Sequence, residues 1–412
     1  MSDSATVDVR ARRSRRARGP KRRLFRWLLV ALGAAIGAVL GLWVAIHRFD
    51  WMGPLVANTL RSIVGTDNVA RLEDLVYAVE DAANRISKKD EAPKAYWAVP
   101  TTSNRPVAPV LPSATPEKPR LAPFRPADPG PALKRWSAKG DGVWVPIVDS
   151  RRPSEEPYLF KTLLHPDASR GWAEVFVVAV DLRRVDVYAV AGSREPKTES
   201  DKPDNYERKA KIPEAHHEEL LAAFNGGFMT EHGGYGMKVD GVVLVTPKPD
   251  VCTVARYQDG SMQIATWKHI AAREPEMEWY RQAPACMYER GKIHPGLTVG
   301  SGLKWGATLD GDTVIRRSAL GLSQDRQILY VSITNHTTAR VLADGLRHAG
   351  AVDIAQMDVN WSYPKFVLFE PTAEGTQRKA VALASGFEFS EDEYIRSRAR
   401  RDFFYLTRKP GS

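Results

Sequence analysis

From Trp136 onward the chain is built of short apolar runs separated by turn-formers. "WAEVFVVAVDL" (Trp172–Leu182), "RVDVYAVAG" (Arg184–Gly192), "GMKVDGVVLV" (Gly236–Val245), "MQIATW" (Met262–Trp267), "QILYVSIT" (Gln327–Thr334) and "DIAQMDV" (Asp353–Val359) are rich in β-branched residues and punctuated by Gly, Asp and Pro. That texture predicts strands. Helical spacing is rarer, and two stretches carry it: "AHHEELLAAF" (Ala215–Phe224) and "TARVLADGLRHAG" (Thr338–Gly350). The second lies between two apolar runs and predicts a strand-helix-strand unit, with Thr337 or Thr338 capping the helix and Gly350 closing it. The expected fold class is therefore α+β, a mixed β-sheet domain over residues 136–408 with this strand-helix-strand unit as its C-terminal signature.

The pattern changes before residue 136. Trp27–Ile46, "WLLVALGAAIGAVLGLWVAI", is an uncharged run of about the length that crosses a bilayer, and it predicts one transmembrane helix ahead of the domain. Residues 47–92 follow as a juxtamembrane region, in which Val69, Leu72, Leu75, Val76, Val79 and Ala83 recur at helical spacing and predict an amphipathic helix. Residues 93–135 are rich in Pro with Ala, Ser and Thr, a composition suited to an extended linker.

Charge sharpens this map. The formal net charge of the 412-residue chain is +10, but residues 1–26 hold ten Lys/Arg and two Asp, leaving only +2 for the rest. The basic residues read as a cytoplasmic tail, which places the domain in the periplasm or outside the cell, with the membrane as a partner through the N-terminal helix. A nearly neutral body argues against nucleic acid. The two cysteines, Cys252 and Cys286, are compatible with a disulfide or with two separate buried thiols.

Three polar clusters interrupt the apolar pattern. In "NGGFMTEHGGYGMKVDG", Asn225 with Gly226 and Gly227 predicts a tight turn in which glycine φ > 0 lets a ligand approach the backbone, and His232 follows as a proton-transfer candidate. In "VIRRSALG", alternation puts Arg316 and Arg317 on opposite faces of a strand, one of them free to bind an anion with its planar fork. In "TNHTTARVLADGLRHAGAVDIAQMDVNWS", one strand ends in Asn335 and His336 and the next in Asp358, Asn360 and Ser362. Parallel directions for those two strands put both polar groups on one rim of the sheet. As turn-formers, Asp358 and Asn360 have an alternative role, bonding their own backbone. Asp and Asn at alternate positions can also ligate Ca²⁺, but no full set of metal-ligand spacings occurs, and neither a metal nor a cofactor is expected.

In this order the clusters resemble the phosphodiester glycosidase family. Asn225–Met229 match its "NGGFF"-like turn, Asp240 and Gly241 its Asp/Asn-Gly turn, and Arg317–Gly321 its "R-[ST]-A-x-G" stretch; Gln356–Ser362 partly match its "N-L-D-G-G-G-S" end. The final motif keeps Asp358 and Ser362, but Val359, Asn360 and Trp361 stand where the family has three glycines. The resemblance implies hydrolysis of a phosphodiester-linked glycan. It implies Asp358 and Arg317 as catalytic residues, on the sugar carbon and the phosphate respectively, with His336 and His232 in second rank. It implies Asn225, Gly226, Gly227, Asp240, Ser318, Asn360 and Ser362 as substrate-binding residues. The altered glycine motif keeps a second class open, a catalytically inactive envelope protein that binds an anionic glycan in the same cleft.

Overall fold

In a computed structural model the chain is described over residues 66–99, 121–199, 206–298, 305, 313–372, 375 and 377–410, with isolated positions between 27 and 41. It divides into two units, Met1–Val69 and Ala70–Ser412, and the architecture below is that of the second.

Three sheets make up the second unit, and every strand pairing in them is antiparallel. The largest runs in the order β1 (Val145–Ile147), β2 (Leu159–Leu164), β3 (Val175–Asp181), β14 (Ile328–Thr334), β13 (Arg317–Leu322), β15 (Asp353–Val359), β11 (Tyr288–Glu289) and β12 (Lys292–Ile293). A five-stranded sheet has the order β7 (Val242–Val245), β6 (Met237–Val239), β10 (Met277–Ala283), β8 (Cys252–Tyr257) and β9 (Met262–Thr266). The third has the order β17 (Arg378–Ala382), β16 (Phe366–Pro371), β5 (Leu220–Asn225), β18 (Phe403–Arg408) and β4 (Val185–Val190). Their inner faces meet in one core that includes Val178, Leu320, Phe224, Phe404, Val254 and Trp279. Cys252 and Cys286 form a disulfide in this sheet-rich body.

Two α-helices are described from end to end, α1 (Thr66–Ser87) and α2 (Ala339–Ala349). Thr338 caps α2, its hydroxyl accepting from Val341 N at 3.2 Å, and Gly350 ends it at φ 116°. Leu342, Ala343 and Leu346 bury its apolar stripe against Val177, Ala319 and Ile354 of the large sheet, each leucine contributing roughly 1.5–3 kcal/mol.

The expectation of an α+β fold around a mixed sheet behind a transmembrane helix is corrected here. The described chain is mostly antiparallel β, and among its described residues no helix is long and apolar enough to cross a membrane. The tail at 1–26, most of Trp27–Ile46 and much of the Pro-rich segment lie outside the described residues. The stretch Ala215–Phe224 also differs from its helical reading. A 3₁₀ turn (Glu214–His216) leads into β5, where all six residues are buried. Short apolar runs buried on both faces lose the period that separates strand from helix, and pairing with β16 and β18 decides the outcome.

Candidate functional site

The site is built on one rim of the large sheet. Thr334 at the end of β14 faces Val175 at the start of β3, and Arg317 at the start of β13 faces Val359 at the end of β15. β14 and β15 both run opposite to β13, which lies between them, so their C-terminal ends share this rim. Register breaks once, at the rim itself. Arg317 pairs with Val359 and Ala319 with Gln356, so Met357 and Asp358 together oppose the single Ser318. An extra residue of this kind twists a strand and re-aims the side chain at the break.

Asp358 is thereby directed into a buried polar cluster around the Asn225–Gly226–Gly227 turn. Asn225 Nδ2 donates to Ser318 Oγ at 2.7 Å and to Gly226 O at 3.0 Å, its Oδ1 accepts from Lys365 N at 3.1 Å, and Ser318 Oγ donates to Asp358 O at 2.9 Å. Asp358 Oδ1 accepts from Val359 N at 2.9 Å, while Oδ2 forms an ion pair with Arg401. The Arg401 guanidinium stacks 3.8 Å from the centre of the Tyr363 ring. Beneath them, Asp402 Oδ2 accepts from Gly227 N at 2.8 Å and from Arg281 Nε at 2.8 Å, and Arg281 Nη1 donates to Tyr235 O at 2.9 Å.

Burial sets the protonation of this cluster. Asp358 is 1% exposed, and burial pushes its carboxyl up to about 6, with Arg401 pulling the other way. Burial also works against the charge on Arg401, but Asp358, Tyr363 and Asp402 outweigh it and hold its pKa above the usual value. Burial raises the Tyr363 phenol well above its ordinary range, with the Asp402 charge adding to it. The site thus offers a carboxyl balanced between its two forms near neutral pH, beside a permanent cation.

The two glycines of the turn are required for a reason other than positive φ, since neither is among the residues with that backbone. A Cβ on Gly226 would overlap the carbonyl and carboxylate of Asp402, and one on Gly227 would lie 2.7 Å from Arg281 Nε.

The remaining expected site residues are distributed as follows. Arg317 points to the other face of β13 from Ser318, fully buried, and its guanidinium donates to Thr337 O at 3.1 Å, Trp305 O at 2.6 Å, Thr313 O at 2.8 Å and Gln356 Oε1 at 3.1 Å. It is a strut between the sheet and the segments beside α2, and the expected place for a phosphate on Arg317 is occupied by carbonyls. Ser318 is part of the Asp358 cluster. Asn360 Oδ1 accepts from Ser362 N at 3.2 Å, the bond of a turn-former, with both residues exposed. Asp240, at φ 50° in the β6–β7 turn, accepts from Tyr206 OH at 2.8 Å. His232 ends a 3₁₀ turn 3.7 Å from Glu231.

His336 lines a second feature of the rim, an open cleft of about 190 Å³. Glu174, Asn335, Arg316, Tyr96 and Lys88 share its walls. Burial, with Lys88 and Arg316 nearby, lowers His336 to about 4 and keeps the imidazole neutral. Trp361 packs at this cleft, its ring 5.3 Å from that of His336 and 4.4 Å from the Arg316 guanidinium. Among the described residues, no group of three or more His, Cys, Asp and Glu side chains is arranged to hold a metal ion.

Sequence reasoning missed Arg401, Asp402, Arg281, Glu174 and Tyr96. Arg401 and Asp402 close the run "IRSRARRD", which has the look of a solvated charged surface, and only the insertion of β18 brings them inward. Glu174 had a signal, as the single charged residue within "WAEVFVVAV".

No family model matches the chain, and no curated protein matches it in sequence. Among solved structures, the zebrafish N-acetylglucosamine-1-phosphodiester alpha-N-acetylglucosaminidase catalytic domain, auto-inhibited by its pro-peptide, is similar at 15% identity and TM-score 0.39, covering 62% of this chain and 85% of that one. A hypothetical protein from Synechocystis is similar at 10% identity and TM-score 0.29, over 62% and 65% of the respective chains. An exported protein from Burkholderia pseudomallei has 9% identity and TM-score 0.22, over 57% and 74%. These likenesses amount to a distant structural relationship and carry no residue roles.

Proposed function

We propose that the chain is a hydrolase acting at this rim on a sugar-1-phosphodiester or a related anionic glycan. The observation that supports it most is Asp358, turned by a β-bulge out of the strand pattern and held beside Arg401 with its carboxyl raised to about 6. A carboxylate beside the anomeric carbon stabilises positive charge developing there, and a neighbouring guanidinium takes the charge of the departing phosphate monoester. Arg401 replaces Arg317 in that second role. Asn225 and Ser318 hold the Asp358 backbone in register. Asp358 is 1% exposed, so the reaction requires a local rearrangement that admits substrate to it. The disulfide supports work in an oxidising compartment.

The test is incubation of the purified protein with a panel of glycosyl phosphodiesters and measurement of released sugar. The Asp358→Asn variant is expected to lower kcat/KM about a hundredfold or more while remaining folded. Turnover equal to that of the parent would sink the assignment. The burial and ion pairing of Asp358 also favour a second reading, a non-catalytic binder of an anionic glycan, and saturable binding of the panel without released sugar would support that one.

A further inference from the structure

The open cleft contains an acid that the preceding reading does not use. Glu174 directly precedes β3, and its two carboxylate oxygens are treated differently. Oε2 accepts from Tyr96 OH at 2.8 Å and from Asn335 Nδ2 at 2.7 Å, which leaves Oε1 for the cleft. Asn335 also fixes the local backbone, its Oδ1 accepting from Glu174 N at 2.8 Å and its Nδ2 donating to Trp172 O at 3.0 Å. This carboxylate is held at one oxygen and free at the other, as a group that exchanges a proton with a ligand requires.

Tyr96 comes from a segment that crosses the cleft from outside the sheets. The end of α1 is tied down by Arg170, which donates to Asp81 at 2.6 and 2.7 Å. Beyond the cleft, Tyr96 packs edge-on against Phe176 at 4.9 Å, and Lys161 lies 4.5 Å over the Trp97 ring. Lys88 and Lys94, between those two ties, line the opening. Two buried donors in the cleft wall, Trp172 Nε1 and Arg316 Nε, have no acceptor in the protein.

We propose that Glu174 is a further catalytic residue, the proton acceptor of the cleft, with Tyr96 as its positioning residue. The assignment rests on the hydrolytic reading above. In the step it serves, a water oxygen attacks the anomeric carbon and the bond from that carbon to the phosphoryl oxygen breaks, its electron pair leaving with the phosphate. The proton lost by the water passes to Glu174 Oε1 and on to solvent. Burial raises the Glu174 carboxyl, while the Tyr96 hydroxyl, His165, Lys94 and Lys88 act in the opposite sense; His336 and Arg316 face it across the cleft.

The experiment compares wild type, Glu174→Gln and Tyr96→Phe on a glycosyl phosphodiester that the wild type cleaves, with melting temperatures as the folding control. E174Q is expected to lose about a hundredfold or more in kcat with a smaller change in KM. Tyr96 stabilises the ionised carboxyl, so Y96F raises the Glu174 pKa and moves the acid limb of the kcat/KM profile to higher pH, a shift that a merely structural role for Tyr96 would not produce. Folded E174Q with activity within threefold of the parent, or a Y96F profile that does not move, overturns this assignment and leaves the hydrolytic reading standing. A wild type that releases no sugar from any phosphodiester overturns both.

Discussion

Asp358 shows how far the position of one side chain can depart from its place in a strand pattern. The acid at the end of "DIAQMDV" was legible as a rim residue, and so was its link with Asn225. Its partner was not, because alternation along β13 gives no account of a bulge on β15, and the bulge separates Asp358 from Arg317. The same burial that isolates it makes a pH prediction. The folded value near 6 lies above the ordinary 3.8, so between those values the folded chain holds more protons than the unfolded one. The contribution of this group to stability therefore falls as pH rises through that window. The melting temperature of wild type relative to D358N is expected to decrease from pH 4 to pH 6, and a constant difference would show an ordinary carboxyl.

Among the elements, α2 was the most legible, since Thr338 and Gly350 bracket an amphipathic stripe that needs no tertiary information. β5 was the least, because an apolar run of six carries no decisive period and its identity comes from the strands on either side. The turn after β5 was legible as glycine-dependent for a different reason from the one that operates. Gly226 and Gly227 leave room for Asp402 and Arg281, both of which lie far along the chain. Gly226→Ala is expected to destabilise the fold by about 1–3 kcal/mol through overpacking, read as a lower denaturation midpoint with an unchanged m-value. Arg281→Ala is expected to cost about 3–5 kcal/mol, since it leaves the Asp402 carboxylate buried without its guanidinium. A fully buried arginine of this kind carried no mark in "EWYRQA".

At the scale of the whole molecule, long-range pairing dominates and little of it can be read from local pattern. The order of the large sheet brings β3 beside β14, across well over a hundred residues. The disulfide acts at this scale too, closing a separation of 34 residues between β8 and the turn after β10. Its removal by the double Cys252→Ala, Cys286→Ala change is expected to lower stability by about 2–4 kcal/mol in chemical denaturation. β18 has the widest reach. It fits between β4 and β5, pairing with both, so that β4 is joined to the rest of its sheet through β18, and it carries Arg401 and Asp402 immediately before it. During synthesis Asp358 is therefore made and left waiting, its counter-charge still to be translated, until β18 slots home.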